Sequence, residues 1–190
     1  MTERYVDHRL GEFLDLVAKR QPAPGGGAVA AVTVSVAAAL VAMAARFSVG
    51  RLDGAEAMVR DAERLRSRAA DLADADADAY GAVIAAYAGS REEDEQRERI
   101  RAALTRATDV PVQVAQIGAE TARLAGRLAV EGKRDVRGDA VTGLLLAEAA
   151  TRSAAHLVAV NVRAGGGDDQ HLRSATDSVA TARGAAACLE

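Results

Sequence analysis

Residues 21–45 read QPAPGGGAVAAVTVSVAAALVAMAA, and the reading of this stretch decides the fold. From Ala28 to Ala45 run 18 residues without a charge, a length that raises a membrane span as one reading. The apolar weight argues the other way. Alanine dominates, the strongly hydrophobic positions are Val29, Val32, Val34, Val36, Leu40, Val41 and Met43, and no aromatic belt flanks the run. A helix apolar on all sides is also the central helix of a soluble bundle, so a buried helix over about 26–48 and no membrane partner are expected. Ahead of it, the prolines of Gln21-Pro22-Ala23-Pro24 hold the chain extended. Gly25, Gly26 and Gly27 then let the backbone turn sharply or approach another group closely. A helix beginning there aims unpaired N–H groups, and the positive end of its dipole, at whatever lies above the loop. Backbone alone then makes an anion site, although a plain turn into a tightly packed helix accounts for the same residues. The pattern is neither GxGxxG nor GxxxxGK[ST], which counts against nucleotide folds.

Helical spacing continues on both sides. Val6, Leu10, Phe13, Leu14 and Val17 mark a first amphipathic helix over roughly 3–20. Gly50 to Gly54 reads as a turn, followed by a long helix over about 54–88 with a seven-residue repeat. Met58, Leu65, Leu72, Ala79 and Ala86 form one row, and Ala55, Ala62, Ala69, Asp76 and Val83 the other, as the d and a positions of a heptad seam. Asp76 is the charged residue in that seam. Asp71, Asp74 and Asp78 fall on outer positions and read as a solvated face. A buried carboxylate must be paired, protonated or set against a wet cavity, so Asp76 is either structural, as a specificity residue or half of a buried pair with an arginine, or a carboxyl of raised pKa suited to acid–base work.

The charge run Arg91–Arg101 opens the next helix, and Ile100, Leu104, Ala107, Val114, Ile117, Leu124 and Leu128 carry its apolar stripe to about Glu131. Pro111 inside that stripe predicts a kink, and Gly132 a C-cap. Asp139 is an N-cap candidate for a helix running to about Ala164, stopped by Gly165-Gly166-Gly167, with a last helix over about 168–188. The expectation is an all-α, single-domain bundle over residues 1–190, with about six helices, long antiparallel pairs and short connections.

Composition limits the function. Aromatics make up 3% of the 190 residues and tryptophan is missing, so the core depends on close alanine contacts and a homodimer is expected to supply further buried area. Net charge is −3 with basic and acidic residues interspersed, which leaves no nucleic-acid footprint. Cys188 is a single cysteine and reads as a spectator. His8, His156 and His171 are scattered, and neither HExxH nor CxxC occurs, so no metal is expected. Met1–Arg20 is charged and amphipathic rather than a secretory leader, and the cytoplasm is the expected location.

Several segments together resemble the cyclodeaminase/cyclohydrolase family, which includes the C-terminal domain of formiminotransferase-cyclodeaminase and stand-alone bacterial relatives. Pro24-Gly25-Gly26-Gly27-Ala28-Val29-Ala30-Ala31 is similar to its PGGGS-x-x-A loop, and Met43–Gly50 to its M-V-A-x-L-T-x-G. Asp74-Ala75-Asp76-Ala77-Asp78-Ala79-Tyr80 is similar to D-A-D-A-E-A-F, and Val110-Pro111 to its V-P. Gly132 through Asp139-Ala140, and Asn161-Val162, extend the likeness over roughly residues 10–185. The resemblance implies an all-helical dimer that takes a tetrahydrofolate derivative as substrate, without a metal. The family either expels ammonia from 5-formiminotetrahydrofolate or hydrolyses 5,10-methenyltetrahydrofolate. Its catalytic aspartate falls on Asp76. Substrate binding is implied for Pro24, Gly25, Gly26, Gly27, Arg46, Asp139 and Asn161, with the glycine loop taking the glutamate tail and Arg46 offering a carboxylate partner. The chain departs from the family at Ala88-Gly89-Ser90, within Lys133–Gly138 and at Gly165. Two classes stay open: a folate-dependent one-carbon enzyme, and a non-catalytic helical dimer of the same fold holding a folate-like or other anionic ligand.

Overall fold

The computed structural model describes residues 4–88, 93–165 and 167–187. Six α-helices follow one another among them, with no strand: α1 (Leu10–Ala18), α2 (Gly26–Ser48), α3 (Ala55–Ala88), α4 (Glu93–Glu131), α5 (Arg137–Arg163) and α6 (Asp169–Ala186). The expected all-α bundle of about six helices is what the chain forms. Cys188 and residues 89–92 lie outside the described residues.

Cross-contacts set the directions. Ala28 at the start of α2 meets Asp76 late in α3, and Arg46 at the end of α2 meets Glu63 early in α3, so the pair is antiparallel. Ala107 meets Asn161, and Gly118 packs on Thr151, so α4 and α5 are antiparallel as well. The buried Oγ of Ser48, at the end of α2, accepts from the Lys133 N–H just past α4. α6 lies along α4 and α5.

α2 is the central helix. It packs against α3, α4 and α5 and buries twelve residues, eight of them alanines. It is long and apolar enough to cross a membrane, yet 61% of its most apolar window is buried inside the bundle. Alanine permits that density because it brings helix axes close and loses no side-chain entropy. At the tightest crossings even alanine is too large. A β-carbon on Gly118 would lie 2.3 Å from Thr151 Oγ1, and one on Gly143 would lie 3.2 Å from the Ala37 carbonyl. The heptad seam of α3 is the buried face, with Ala55, Met58, Ala62, Leu65, Ala69, Leu72 and Val83 in the core.

Four local expectations are corrected. The first amphipathic segment is a 3-10 turn (Tyr5–Asp7) and a shorter α1, in which Phe13 is buried while Leu10 and Leu14 stay exposed. Asp74 is not on a solvated face: its Oδ1 accepts from the Tyr5 N–H at 2.9 Å and its buried Oδ2 lies 3.7 Å from Arg4 Nε, fastening the N-terminal segment to α3. Gly132 follows the end of α4, but not as a left-handed cap; among the described residues the glycines of positive φ are Gly50, Gly54, Gly165 and Gly167. Glycine is needed there for space, since a β-carbon would sit 2.4 Å from the Leu128 carbonyl and 3.1 Å from Ser48 Oγ. Asp139 is not the N-cap of α5 either. Val136 holds that position, because a short 3-10 turn over Arg134–Val136 leads straight into the helix and leaves Asp139 inside the first turn. The glycine stop after α5 holds at Gly165 and Gly167, with φ of 98° and 99°; Gly166 lies outside the described residues.

Candidate active site

The start of α2 has no side chain of its own to cap it, because its N-cap is Gly25. Asp76 reaches across from the α3 seam instead, and its Oδ2 accepts from the Ala28 N–H at 3.0 Å. Gly27 makes this possible. A β-carbon there would lie 2.0 Å from Asp76 Oδ1 and 2.6 Å from Oδ2, so the carboxyl occupies the volume that any other residue would fill. Among the described residues no cation pairs with Asp76, which removes the arginine partner that its seam position had left open. Loss of hydration pushes its pKa up, against the opposing pull of the Ala28 N–H. Burial outweighs the helix terminus here.

Asp76 opens onto a cavity of about 340 Å³. One wall is the loop of Pro22, Ala23, Gly25, Gly26 and Gly27. α3 adds Tyr80 and Val83, one and two turns beyond Asp76 on the same side of the helix. α4 contributes Leu104, Ala107 and Pro111, and α5 contributes Leu157, Val160 and Asn161. Asn161 Nδ2 donates to the Ala107 carbonyl at 3.0 Å, tying α5 to α4 across the cavity wall. The site is therefore largely apolar with a few placed polar groups, the usual make-up of a small-molecule pocket. A larger open groove, about 780 Å³, runs from Gly26 and Leu157 along α2 and α5 past Arg152, Ser153 and His156.

Of the residues singled out from sequence, the fold brings Gly25, Gly26, Gly27, Asp76 and Asn161 together around this cavity. Pro24 is buried behind the loop, preceded by a cis peptide bond. Arg46 and Asp139 are not brought to it. Arg46 is some 20 residues further along α2, roughly 30 Å at 1.5 Å per residue, and is paired with Glu63 at 2.6 Å. Asp139 is at the opposite end of α5 from Asn161. The loop after α4 is also at that end, where Lys133 lies 5.4 Å from the Phe47 ring centroid. Tyr80, Leu157 and Pro111 were missed as pocket residues. Tyr80 and Leu157 had a usable signal, each lying four positions from a site residue on its own helix. Among the described residues no group of three or more His, Cys, Asp or Glu side chains could hold a metal ion.

Comparison with known proteins agrees with this architecture. The profile of the family described as formiminotransferase-cyclodeaminase matches residues 9–181. A methenyltetrahydrofolate cyclohydrolase from Methylorubrum extorquens is 34% identical over 161 residues, covering 80% of this chain and 77% of that protein. The formimidoyltransferase-cyclodeaminase of Rattus norvegicus is 31% identical over 121 residues, 58% of this chain but 22% of the rat protein. The crystal structure of formiminotetrahydrofolate cyclodeaminase from Thermotoga maritima superposes with a TM-score of 0.84 at 28% identity, covering 96% of this chain and 94% of that one. With nearly its whole length accounted for by one profile and one fold, this chain belongs to the formiminotransferase-cyclodeaminase family.

Proposed function

We propose that this protein is a folate-dependent enzyme of one-carbon chemistry, a methenyltetrahydrofolate cyclohydrolase, with Asp76 as its proton-transfer group. The observation that carries the reading is the placement of Asp76: a carboxyl of raised pKa, held by one backbone N–H and opening onto a mostly apolar cavity. A carboxyl whose pKa moves toward neutrality is suited both to take up and to return a proton. Water adds to the methenyl carbon as ionised Asp76 takes one of its protons. The bond from that carbon to N5 then breaks, Asp76 returns the proton to N5, and the remaining hydroxyl proton leaves to solvent as the formyl C=O forms. The negative charge of Asp76 also favours approach of the cationic methenyl carbon. Identity to the Methylorubrum enzyme across most of its length supports the hydrolytic direction.

The fold match to the Thermotoga enzyme favours a second reading, cyclodeamination. N10 attacks the formimino carbon and loses its proton, and the amino group gains one and departs as ammonia. The same carboxyl serves both steps. Absorbance of the methenyl chromophore separates the two activities. Purified protein that consumes added methenyltetrahydrofolate is the hydrolase, and protein that generates it from 5-formiminotetrahydrofolate with release of ammonia is the deaminase. Binding of tetrahydrofolate with neither reaction would identify a non-catalytic binder and overturn the enzymatic reading.

We also infer that the protein works as a homodimer. Val36 on α2 and Leu145 on α5 are half exposed, and Leu10 and Leu14 on α1 are largely so. A chain this poor in large core side chains gains from covering them.

A further inference from the structure

Pro111 lies inside α4, and its ring nitrogen has no hydrogen to give the carbonyl four residues back. That carbonyl belongs to Ala107. Asn161 Nδ2 donates to this same oxygen at 3.0 Å, so a side chain from α5 replaces the donor that the proline removed. Ala107, Pro111 and Asn161 all line the cavity that holds Asp76. A carbonyl oxygen only accepts, so the amide of Asn161 has one usable orientation here: one N–H of its NH₂ is held by the wall, and its Oδ1 is left over on the other side of the amide. Among the described residues Oδ1 accepts no hydrogen bond, and it is not a buried unpartnered atom, so it is open to a ligand on a residue that lines the cavity. A free asparagine amide can flip to present a donor or an acceptor at a given point; this one cannot flip without breaking the bond to Ala107, so its acceptor is fixed in place.

We propose that Pro111 and Asn161 form one specificity device, in which the carbonyl released by Pro111 fixes the Asn161 amide so that its Oδ1 accepts a hydrogen bond from an N–H edge of the bound ligand. The inference rests on the folate reading above, and under it the donor is the amino-pyrimidinone edge of the pterin ring. Asn161 is the binding residue. Pro111 is a positioning residue that acts through it.

The test is a cycle of variants read by KM, kcat and thermal unfolding with methenyltetrahydrofolate, and by equilibrium binding of tetrahydrofolate. Asn161→Leu should raise KM and the dissociation constant by about tenfold, the worth of one hydrogen bond, with kcat changed much less, and should lower Tm because the Ala107 carbonyl loses its partner. Pro111→Ala supplies a backbone N–H to that carbonyl, freeing the amide to turn, and should raise KM by about two- to fivefold without lowering Tm. In the double variant the new N–H satisfies Ala107, so Tm should recover to the wild-type value while KM stays high. A double variant whose KM recovers together with Tm would overturn the proposal, because Asn161 would then act only through stability. Unchanged KM in Asn161→Leu, in protein whose wild type turns over folate, also overturns it while leaving the folate reading intact. Wild-type protein that neither binds nor turns over folate defeats both.

Discussion

The carboxyl of Asp76 stands where the β-carbon of residue 27 would be, 2.0 Å from Oδ1, and it is there because residue 27 is glycine. Two consecutive helices are thus fitted to each other, with the N–H of Ala28, 48 residues before Asp76, holding the carboxyl in place. Gly26, the preceding residue, has nothing within 4 Å of its would-be β-carbon. Adjacent glycines in one loop therefore do different things.

This difference predicts opposite outcomes for two alanine substitutions. Gly27→Ala should push the Asp76 side chain out of its position and lower turnover by about 10²-fold, the scale of general acid–base catalysis. Its Tm should change by no more than about 2–4 °C, because the displaced group is the end of a rotatable side chain. Gly26→Ala should retain turnover within about threefold. Steady-state kinetics and thermal unfolding of both variants check the pair, and equal losses in the two would sink the assignment.

Asp76→Asn keeps the shape and the acceptor for Ala28 N–H but cannot exchange a proton. Turnover should fall ~10²–10⁴-fold while tetrahydrofolate still binds. The sign of the stability effect follows from the raised pKa. An acid whose folded pKa lies above its unfolded value contributes stability that is full below the unfolded value, near 3.8, and is lost as pH rises through the folded one. At neutral pH the ionised group is a cost, so Asn should hold or raise Tm. A variant that loses Tm at pH 7 yet turns over normally would mark Asp76 as structural.

His171 locks the start of α6 onto α4, with Nδ1 2.9 Å from Asp168 Oδ1 and Nε2 3.1 Å from Asp109 Oδ1. Burial alone would pull the imidazole pKa down, but the bonds to the two aspartates outweigh it and the net shift is upward. Its stabilisation is therefore full below about 6.5 and is lost as pH rises through the higher folded pKa. Asp168 is shifted the other way, first by its hydrogen bond from the His171 side chain, so its contribution is present above about 3.8 and lost as pH falls through its folded pKa. Both are in force between about pH 4 and 6.5. His171→Gln should lower Tm by about 2–4 °C at pH 5.5 and by much less at pH 8.5, as checked by unfolding across that range.

Gly118 tests the packing of the alanine core. The β-carbon of Gly118→Ala would meet Thr151 Oγ1, a buried, β-branched side chain already bonded to the Ala147 carbonyl at 2.7 Å. That group cannot swing away freely, so the helices must separate. The expected loss is ~1–3 kcal/mol by overpacking, read as a lower denaturant midpoint, with Gly118→Val worse. A neutral result would show that α4 and α5 can move apart without cost.

The inferred homodimer predicts a dimeric mass by analytical ultracentrifugation at micromolar concentration. Val36→Glu with Leu145→Arg places charges on two half-exposed apolar positions of α2 and α5 and should yield a monomer. A monomeric wild type would defeat the inference.

Much of this molecule was legible in the linear chain because helical periodicity is local. The seven-residue repeat of α3 placed Asp76 among buried positions, and the charge-free run before Ala45 marked the central helix, since a helix surrounded by others needs no polar face. The resemblance of the Pro24–Gly27 loop and of the Asp74–Tyr80 segment carried the family. Local pattern did not determine which helix ends meet. Gly27 and Asp76, or Asn161 and Ala107, touch only because antiparallel packing folds distant stretches back on one another. The same packing carries Arg46 and Asp139 to the far end of the bundle, where Glu63 pairs with Arg46. Pro111 shows the division most clearly. Its missing N–H follows from the sequence alone, whereas the identity of the donor that replaces it, Asn161 on the neighbouring helix, was decided by the register of α5 against α4.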